Sequence, residues 1–326
     1  MSDGLTEITV VGEDDSGIVA EITSVLFERN VNIEDIDQAV REGTFRMTMR
    51  VDTDDMVTTH ETLRHDLAEL GEKTGVDVDI RYPGSEDRSI AVLVTKESHC
   101  LEALIDAWEN DELGTEIAVV VGNHSDLEPL AAEHDIPFYD IGDENGVPDE
   151  DELLDVLDDH DTDLIALARY IRILSPKVVF RYQHRIINVH PSLLPAFPGA
   201  SAYMQAIEAG ARVAGVTAHY VTTDLDQGPI IAQRAFNVPD DATEDELRAV
   251  GQPLEAEVLV EAIHLHLNDD LYIHRGRTQL RNPDASNARL GLPNGLNRQL
   301  PDDPVDSHDE IVERESERET ASAESD

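Results

Sequence analysis

Residues 185–190, RIINVH, followed by PSLLPAFPG (191–199), decide how this chain is read. A strand with one solvated face alternates apolar and polar residues, whereas Ile186, Ile187 and Val189 form the near-continuous apolar run of a strand covered on both sides. Asn188 and His190 stand two apart, so on extended backbone both side chains leave the same face. Pro191, Pro195 and Pro198 then prevent regular structure from continuing. The stretch is either the carboxyl end of a buried parallel strand carrying a polar pair, or a loop whose polar residues bond the backbone.

Working outward, SIAVLVT (89–95), EIAVVVGN (116–123) and DLIALA (163–168) are runs of the same kind. Helical patterns separate them: LEALIDAWEN (101–110), DLEPLAAEH (126–134) and DEDELLDVLDD (149–159). This alternation predicts a doubly wound, mostly parallel α/β sheet domain, with ligands at the carboxyl ends of its strands. Downstream, 201–210 reads as a helix, 213–221 and 229–238 as paired strands, and 244–269 as a helix that Gly251 and Pro253 should interrupt. Upstream, TEITVVG (6–12), GIVAEITSVLFERN (17–30), NIEDIDQAV (32–40), TFRMTMRVD (44–52), an amphipathic segment (55–73) and VDVDIRY (76–82) give the β-α-β-β-α-β order of a ferredoxin-like α+β module. The expected organisation is a small module over 1–84, with a linker around Pro83–Asp87, then a catalytic α/β domain over 85–281. An acidic tail follows over 282–326, where hydrophobic periodicity is lost and disorder is expected.

Against 70 acidic residues the chain has only 24 basic ones, a net charge of -46, and its lysines are Lys73, Lys96 and Lys177 alone. Such a surface repels nucleic acid and anionic membranes, so neither is expected as a partner. Cys100 stands alone and forms no internal disulfide. The first residues, MSDGLTEITV, lack a targeting pattern and no apolar run has membrane-spanning length, so a cytoplasmic protein is expected. The acid-rich, lysine-poor composition resembles that of proteins from salt-loving archaea.

Asn188, His190 and Asp226, the last in the turn DLDQGP (224–229), make a coherent set for chemistry at a carbonyl. An amide donates to a developing oxyanion, an imidazole donates a hydrogen bond or a proton, and a carboxylate takes a proton or orients the imidazole. No Ser or Cys is placed by motif as a covalent nucleophile, which favours direct attack. On these residues alone, loop-forming Asn and His and a turn-forming Asp explain the pattern better than a catalytic site does. A zinc site from His184, His190, His219 or the His264/His266 pair has no cysteine support and no diagnostic spacing, so no metal is expected.

NVHPSLLPAFPG (188–199) together with AHYVTTDLDQGPIIAQ (218–233) resembles the formyltransferase catalytic domain, over roughly residues 88–280. VGEDDSGIVAEIT (11–23) followed by NVNIEDI (30–36) resembles the ACT domain, a small regulatory module. There Gly17 either lies near an effector pocket or simply starts a helix. The combination, with VLVTKESHCLEALI, ALARYIRILSP and YIHRGRTQL, is similar to the formyltetrahydrofolate deformylases. That resemblance implies hydrolysis of 10-formyltetrahydrofolate to tetrahydrofolate and formate, in one-carbon metabolism serving purine biosynthesis. It also implies Asn188, His190 and Asp226 as the catalytic trio. Folate would be held by Ile171, Arg172 and Leu174 on one side and by Val221, Thr222 and Thr223 on the other. Arg172 either reaches the folate's glutamate carboxylate or makes a surface ion pair. No cofactor beyond the folate substrate is implied. An ACT module implies a homo-oligomer and a place for an amino-acid effector that the sequence does not name.

One departure keeps an alternative open. Deformylases usually carry a second histidine where this chain has Pro191, and HPSLLPAFPG is closer to the phosphoribosylglycinamide formyltransferases, which pass the formyl group to an amine. His219 and His99 are the candidates to fill the missing role. In the loop Thr95–Cys100, the Glu97 carboxylate is a poor host for that acceptor's phosphate, although Lys96 would pair with one.

Overall fold

Alternating residues before position 82 and unbroken apolar runs after position 88 fold into two different sheets in the computed structural model of the chain, which describes residues 5–82 and 88–281. The expected linker and acidic tail fall outside the described residues.

The first sheet is built from β1 (Thr6–Glu13), α1 (Ile18–Glu28), β2 (Asn32–Arg41), β3 (Thr44–Asp52), α2 (His60–Thr74) and β4 (Val76–Arg81), with antiparallel strand order β2-β3-β1-β4. Phe45, Met47, Met49 and Val51 alternate inward along β3 and bury against Ile18, Ile22 and Leu26 of α1 and Leu63 and Leu67 of α2. Gly17 enters α1 with φ 99, a left-handed conformation in which glycine carries no steric penalty.

The second domain runs β5 (Ser89–Val94), α3 (His99–Glu109), β6 (Glu116–Gly122), α4 (Glu128–Glu133), β7 (Phe138–Asp140), α5 (Glu150–Asp159), β8 (Leu164–Ala168), α6 (Pro176–Arg181), β9 (Ile186–His190), α7 (Ala202–Glu208), β10 (Val213–Tyr220), β11 (Ile230–Asn237) and α8 (Glu244–Leu267), followed by a hairpin of β12 (Leu271–His274) and β13 (Arg277–Leu280). Its seven-stranded sheet has the order β11-β10-β9-β8-β5-β6-β7. The five strands from β9 to β7 are parallel, and β10 and β11 join antiparallel. Every residue of β5 and β8 is buried, as helices on both faces demand. The strand order reverses between β8 and β5, which opens a crevice at their carboxyl ends.

The structure corrects the sequence reading at α8, which runs unbroken for 24 residues through Gly251 and Pro253. A Cβ at residue 251 would lie 1.8 Å from the Tyr203 hydroxyl, so glycine serves the approach of α7 rather than a break. Pro253 removes one amide donor, but burial of Val258, Leu259, Ala262 and Ile263 in the main core holds the helix beyond it. A capping box between Thr243 and Glu246 starts the helix.

The two sheets share one compact unit that extends to Gln279, with α6 packed on β1 and β3. Arg46 of β3 is 3% exposed, lies over the Phe180 ring and donates to Gln183 of the second domain. Arg185 reaches back to Asp79 of β4 at 3.1 Å.

His266, on the last turn of α8, accepts the Tyr220 hydroxyl at 2.8 Å on Nδ1. Burial, with the charge of Arg88 added, pushes its imidazole down from 6.5 to about 4. The unfolded chain therefore takes up a proton that the folded chain refuses. The stabilisation is complete above pH 6.5 and is lost as pH falls toward 4. Between those limits the native protein should lose up to ~3 kcal/mol more stability than His266→Gln, measured by denaturant melts at fixed salt.

Candidate active site

At the carboxyl ends of β8 and β9 lies a cleft of about 740 Å³. Asn188, His190 and Asp226 line it together, brought there by two separate chain segments. Asn188 and His190 project from β9, as the two-residue spacing predicts. Asp226 sits in the turn between β10 and β11 with φ 53, a left-handed position that aspartate tolerates better than most side chains. Gly228 makes that turn: a Cβ there would fall 1.7 Å from the Tyr220 carbonyl oxygen.

The contacts define the chemistry. Gly199 N–H donates to Asp226 Oδ2 at 2.7 Å, a charge-assisted bond that fixes the carboxylate. His190 Nδ1 lies 3.4 Å from the same oxygen and its Nε2 lies 2.9 Å from the Phe197 carbonyl oxygen. Both ring nitrogens face acceptors, so the imidazole is placed to hold a proton between itself and Asp226. The PAFPG segment thus supplies two of the site's backbone groups, which is the use of the proline-rich loop.

His219 lines the same cleft, with Nε2 3.3 Å from Asn188 Nδ2 and 3.7 Å from Asp226 Oδ1. Its Nδ1–H donates to the Tyr220 carbonyl at 2.9 Å, which leaves Nε2 to accept from the Asn188 amide. Burial holds this imidazole below its usual range, against the opposing pulls of the Tyr220 carbonyl and Asp226. Asn188 keeps a second amide N–H for a ligand.

The six folate-contact candidates also line this cleft. Leu174 is a buried wall, while Ile171 and the neighbouring Ile173 are exposed at its lip. Arg172 makes no surface ion pair among the described residues; its Nη2 donates to the Asn145 carbonyl at 2.9 Å. Its Nε and the Tyr170 hydroxyl are buried without partners.

His99 does not line the cleft. It stands behind it in a polar cluster that sequence reasoning missed, centred on Glu255 of α8, which is 1% exposed. Tyr203 donates to Glu255 at 2.6 Å, His99 Nε2 lies 3.2 Å away and Arg169 Nε 3.4 Å away. Arg169 also pairs with Glu97 at 2.9 Å. Burial alone would push the Glu255 carboxyl up; the His99 and Tyr203 hydrogen bonds and the Arg169 charge outweigh it and hold the group low. The early signals were Glu97 and His99 after β5, because nothing in the helical pattern of α8 marks Glu255 as buried. His99, Cys100 and Glu255 present ligand-type atoms within 4.8 Å of one another. Burial pushes the Cys100 thiol up, and Glu255 is already engaged, so the group suits a structural network better than a metal.

Residues 88–263 match the formyl transferase family, and residues 7–81 match the ACT domain family. The chain is 35% identical to the formyltetrahydrofolate deformylase of Haemophilus influenzae, over 81% of its own length and 95% of the relative's. It is 36% identical to that of Bacillus subtilis, over 81% and 90%. Among solved structures, a formyltetrahydrofolate deformylase from Pseudomonas syringae superposes with a TM-score of 0.59 at 30% identity, covering 85% of this chain and 94% of that one. A phosphoribosylglycinamide formyltransferase from Anaplasma phagocytophilum superposes with a TM-score of 0.57 at 33% identity, covering 96% of that chain but only 61% of this one.

Proposed function

The chain belongs to the formyl transferase family, in its ACT-bearing formyltetrahydrofolate deformylase group, and we propose that it hydrolyses 10-formyltetrahydrofolate to tetrahydrofolate and formate. The observation that carries the chemistry is the Asp226 carboxylate, held by Gly199 N–H and faced by two imidazoles at 3.4 and 3.7 Å. Asp226 orients a water and takes its proton as the oxygen attacks the formyl carbon. The carbonyl electron pair moves to oxygen, where the free Asn188 N–H stabilises the oxyanion. Collapse breaks the bond from carbon to N10, and the proton held between His190 and Asp226 passes to the departing nitrogen. His190 donates to the oxyanion only if its Nε2 leaves Phe197 O, so its first role here is proton delivery. No metal or cofactor enters this scheme.

The pterin lies between the Leu174 wall and the segment Val221–Thr223, whose backbone groups read its donor and acceptor edge. Water is the acceptor in this reading because Glu97 and Glu255 bring carboxylates to the start of α3, where an acceptor phosphate would otherwise find a helix N-terminus. Arg169 is already committed to both carboxylates. The protein acts in the cytoplasm within one-carbon metabolism that serves purine biosynthesis. It assembles as a homo-oligomer through its ACT module, which takes an amino-acid effector, and its acid-rich surface suits concentrated salt. No described helix is long and apolar enough to cross a membrane.

Purified protein incubated with 10-formyltetrahydrofolate at high salt should release formate without glycinamide ribonucleotide. Formylated product appearing only when the nucleotide is present would overturn the hydrolase reading. Asn188→Ala should lower kcat by about 10²–10³ with KM little changed, and an unaltered kcat in a folded variant would remove Asn188 from the mechanism. Asp226→Asn keeps the shape but not the base, and should cost about 10²–10⁴ in turnover.

A further inference from the structure

Asn188 supplies an amide donor to the cleft, yet its side chain does not fix its own direction. An asparagine amide turns about a broad, two-fold torsion, and the two settings exchange a donor for an acceptor at the same place. Only a neighbour selects one of them. Among the described residues the His219 ring is the one hydrogen-bond partner of the Asn188 side chain, with Nε2 3.3 Å from Nδ2.

That ring is itself fixed. His219 stands opposite Asn188 in the β9–β10 pair, so the two side chains leave the same face of the sheet. It is buried, and its Nδ1 lies 2.9 Å from the Tyr220 carbonyl oxygen, an atom that can only accept. Nδ1 therefore carries the proton and Nε2 presents a lone pair. Turned the other way, Asn188 would set its Oδ1 against that lone pair, with no proton between them. Asp226 Oδ1, at 3.7 Å from Nε2, is too distant for a hydrogen bond, and Asp226 is held from elsewhere by Gly199 N–H. The ring thus acts on Asn188 rather than on Asp226.

We propose that His219 is a positioning residue: its neutral Nε2 takes one N–H of Asn188 and thereby aims the other at the oxyanion. This role rests on the reading of the cleft as a site of formyl chemistry, but not on whether water or an amine is the acceptor. Burial keeps the ring neutral, with the charge of His190 on its side and the Tyr220 carbonyl and Asp226 against it. A protonated ring would carry N–H at Nε2 and draw the Asn188 oxygen toward it, which turns the donor out of place.

Kinetics of the wild type, Asn188→Ala, His219→Leu and the double variant test this. His219→Leu should lower kcat about tenfold with KM little changed, because the bond it removes serves the transition state. In the Asn188→Ala background the same substitution should cost about twofold at most, since a residue acting through Asn188 has nothing left to act on. His219→Gln, which keeps an acceptor oxygen and cannot be protonated, should recover most of the loss. Costs that add in the double variant of an active enzyme, or a folded His219→Leu with full kcat, overturn the proposal alone. A wild type without formyl chemistry overturns the reading of the cleft, and the positioning role falls with it. Nitrogen-15 NMR of the wild-type imidazoles needs no variant, so it decides the contact even where His219→Leu does not fold. The Nδ1–H tautomer is expected for His219 at neutral pH, and an Nε2–H or doubly protonated ring overturns the proposal.

Discussion

Antiparallel addition of β10 to β9 places His219 opposite Asn188 and Thr217 opposite His190, and the active cleft depends on that register. Residues opposite one another in a pair share a face, so the two strands present their polar side chains together. Thr217, fully buried, donates to the Ser192 carbonyl and accepts from Leu194 N–H and from Gln233. Those bonds tie the PSLLPAFPG loop to β10 at its start, and the loop then delivers Phe197 O to His190 and Gly199 N to Asp226. A slip of one residue would turn Asn188, His190, Thr217 and His219 to opposite faces and unmake every one of these contacts.

Charge around the cleft is balanced, whereas that of the whole chain is not. A net of -46 repels an anionic folate at long range, yet at the cleft Arg169, Arg172 and Arg248 stand against Glu97, Asp226 and Glu244. Salt decides which effect prevails: the screening length falls to about 3 Å at 1 M, so the distant acids are silenced while contacts inside the cleft survive. Glu97 and Glu255 then act at short range as local anions. They hold Arg169, which sits at φ 61, beside the crevice where the strand order reverses. Breaking a buried pair of this kind by removing one partner typically costs about 3–5 kcal/mol, so the cluster is a rigid end wall and not a mobile gate.

The parallel strands, the order of the first module and the three polar residues at the strand ends were legible because each leaves a periodic or positional mark. Buried strands read as apolar runs, and the two-residue spacing of Asn188 and His190 survives unchanged on β9. Contacts that depend on one atom left no such mark. Gly251 looked like a helix breaker, when its missing side chain makes room for Tyr203. Glu255 sits in a helix rich in acids and is distinguishable from its exposed neighbours only by what packs against it. Of the two roles expected for Arg172, the surface ion pair is not formed among the described residues, because the 143–147 turn brings the Asn145 carbonyl to it. The short elements β7 and α6 were missed for the simpler reason that three and six residues carry too little periodicity to read.

The ACT module meets the catalytic domain near the cleft through two contacts of unequal strength. Arg41, at the tip of the β2–β3 hairpin, pairs with Asp224, two residues from Asp226, but both side chains are about half exposed. An exposed pair contributes about 0–1 kcal/mol and less in salt, too little to hold one arrangement of the Asp226 turn. Arg46 is buried between the domains, with Phe180 beneath it and Gln183 ahead of it, in the turn that leads to β9. Removing that side chain would open a void and strand polar groups, so the position of β9 relative to the module rests on packing rather than on surface charge. The buried Arg46 contact therefore fixes the ACT sheet against the segment that leads to β9 more firmly than the exposed hairpin-tip pair does.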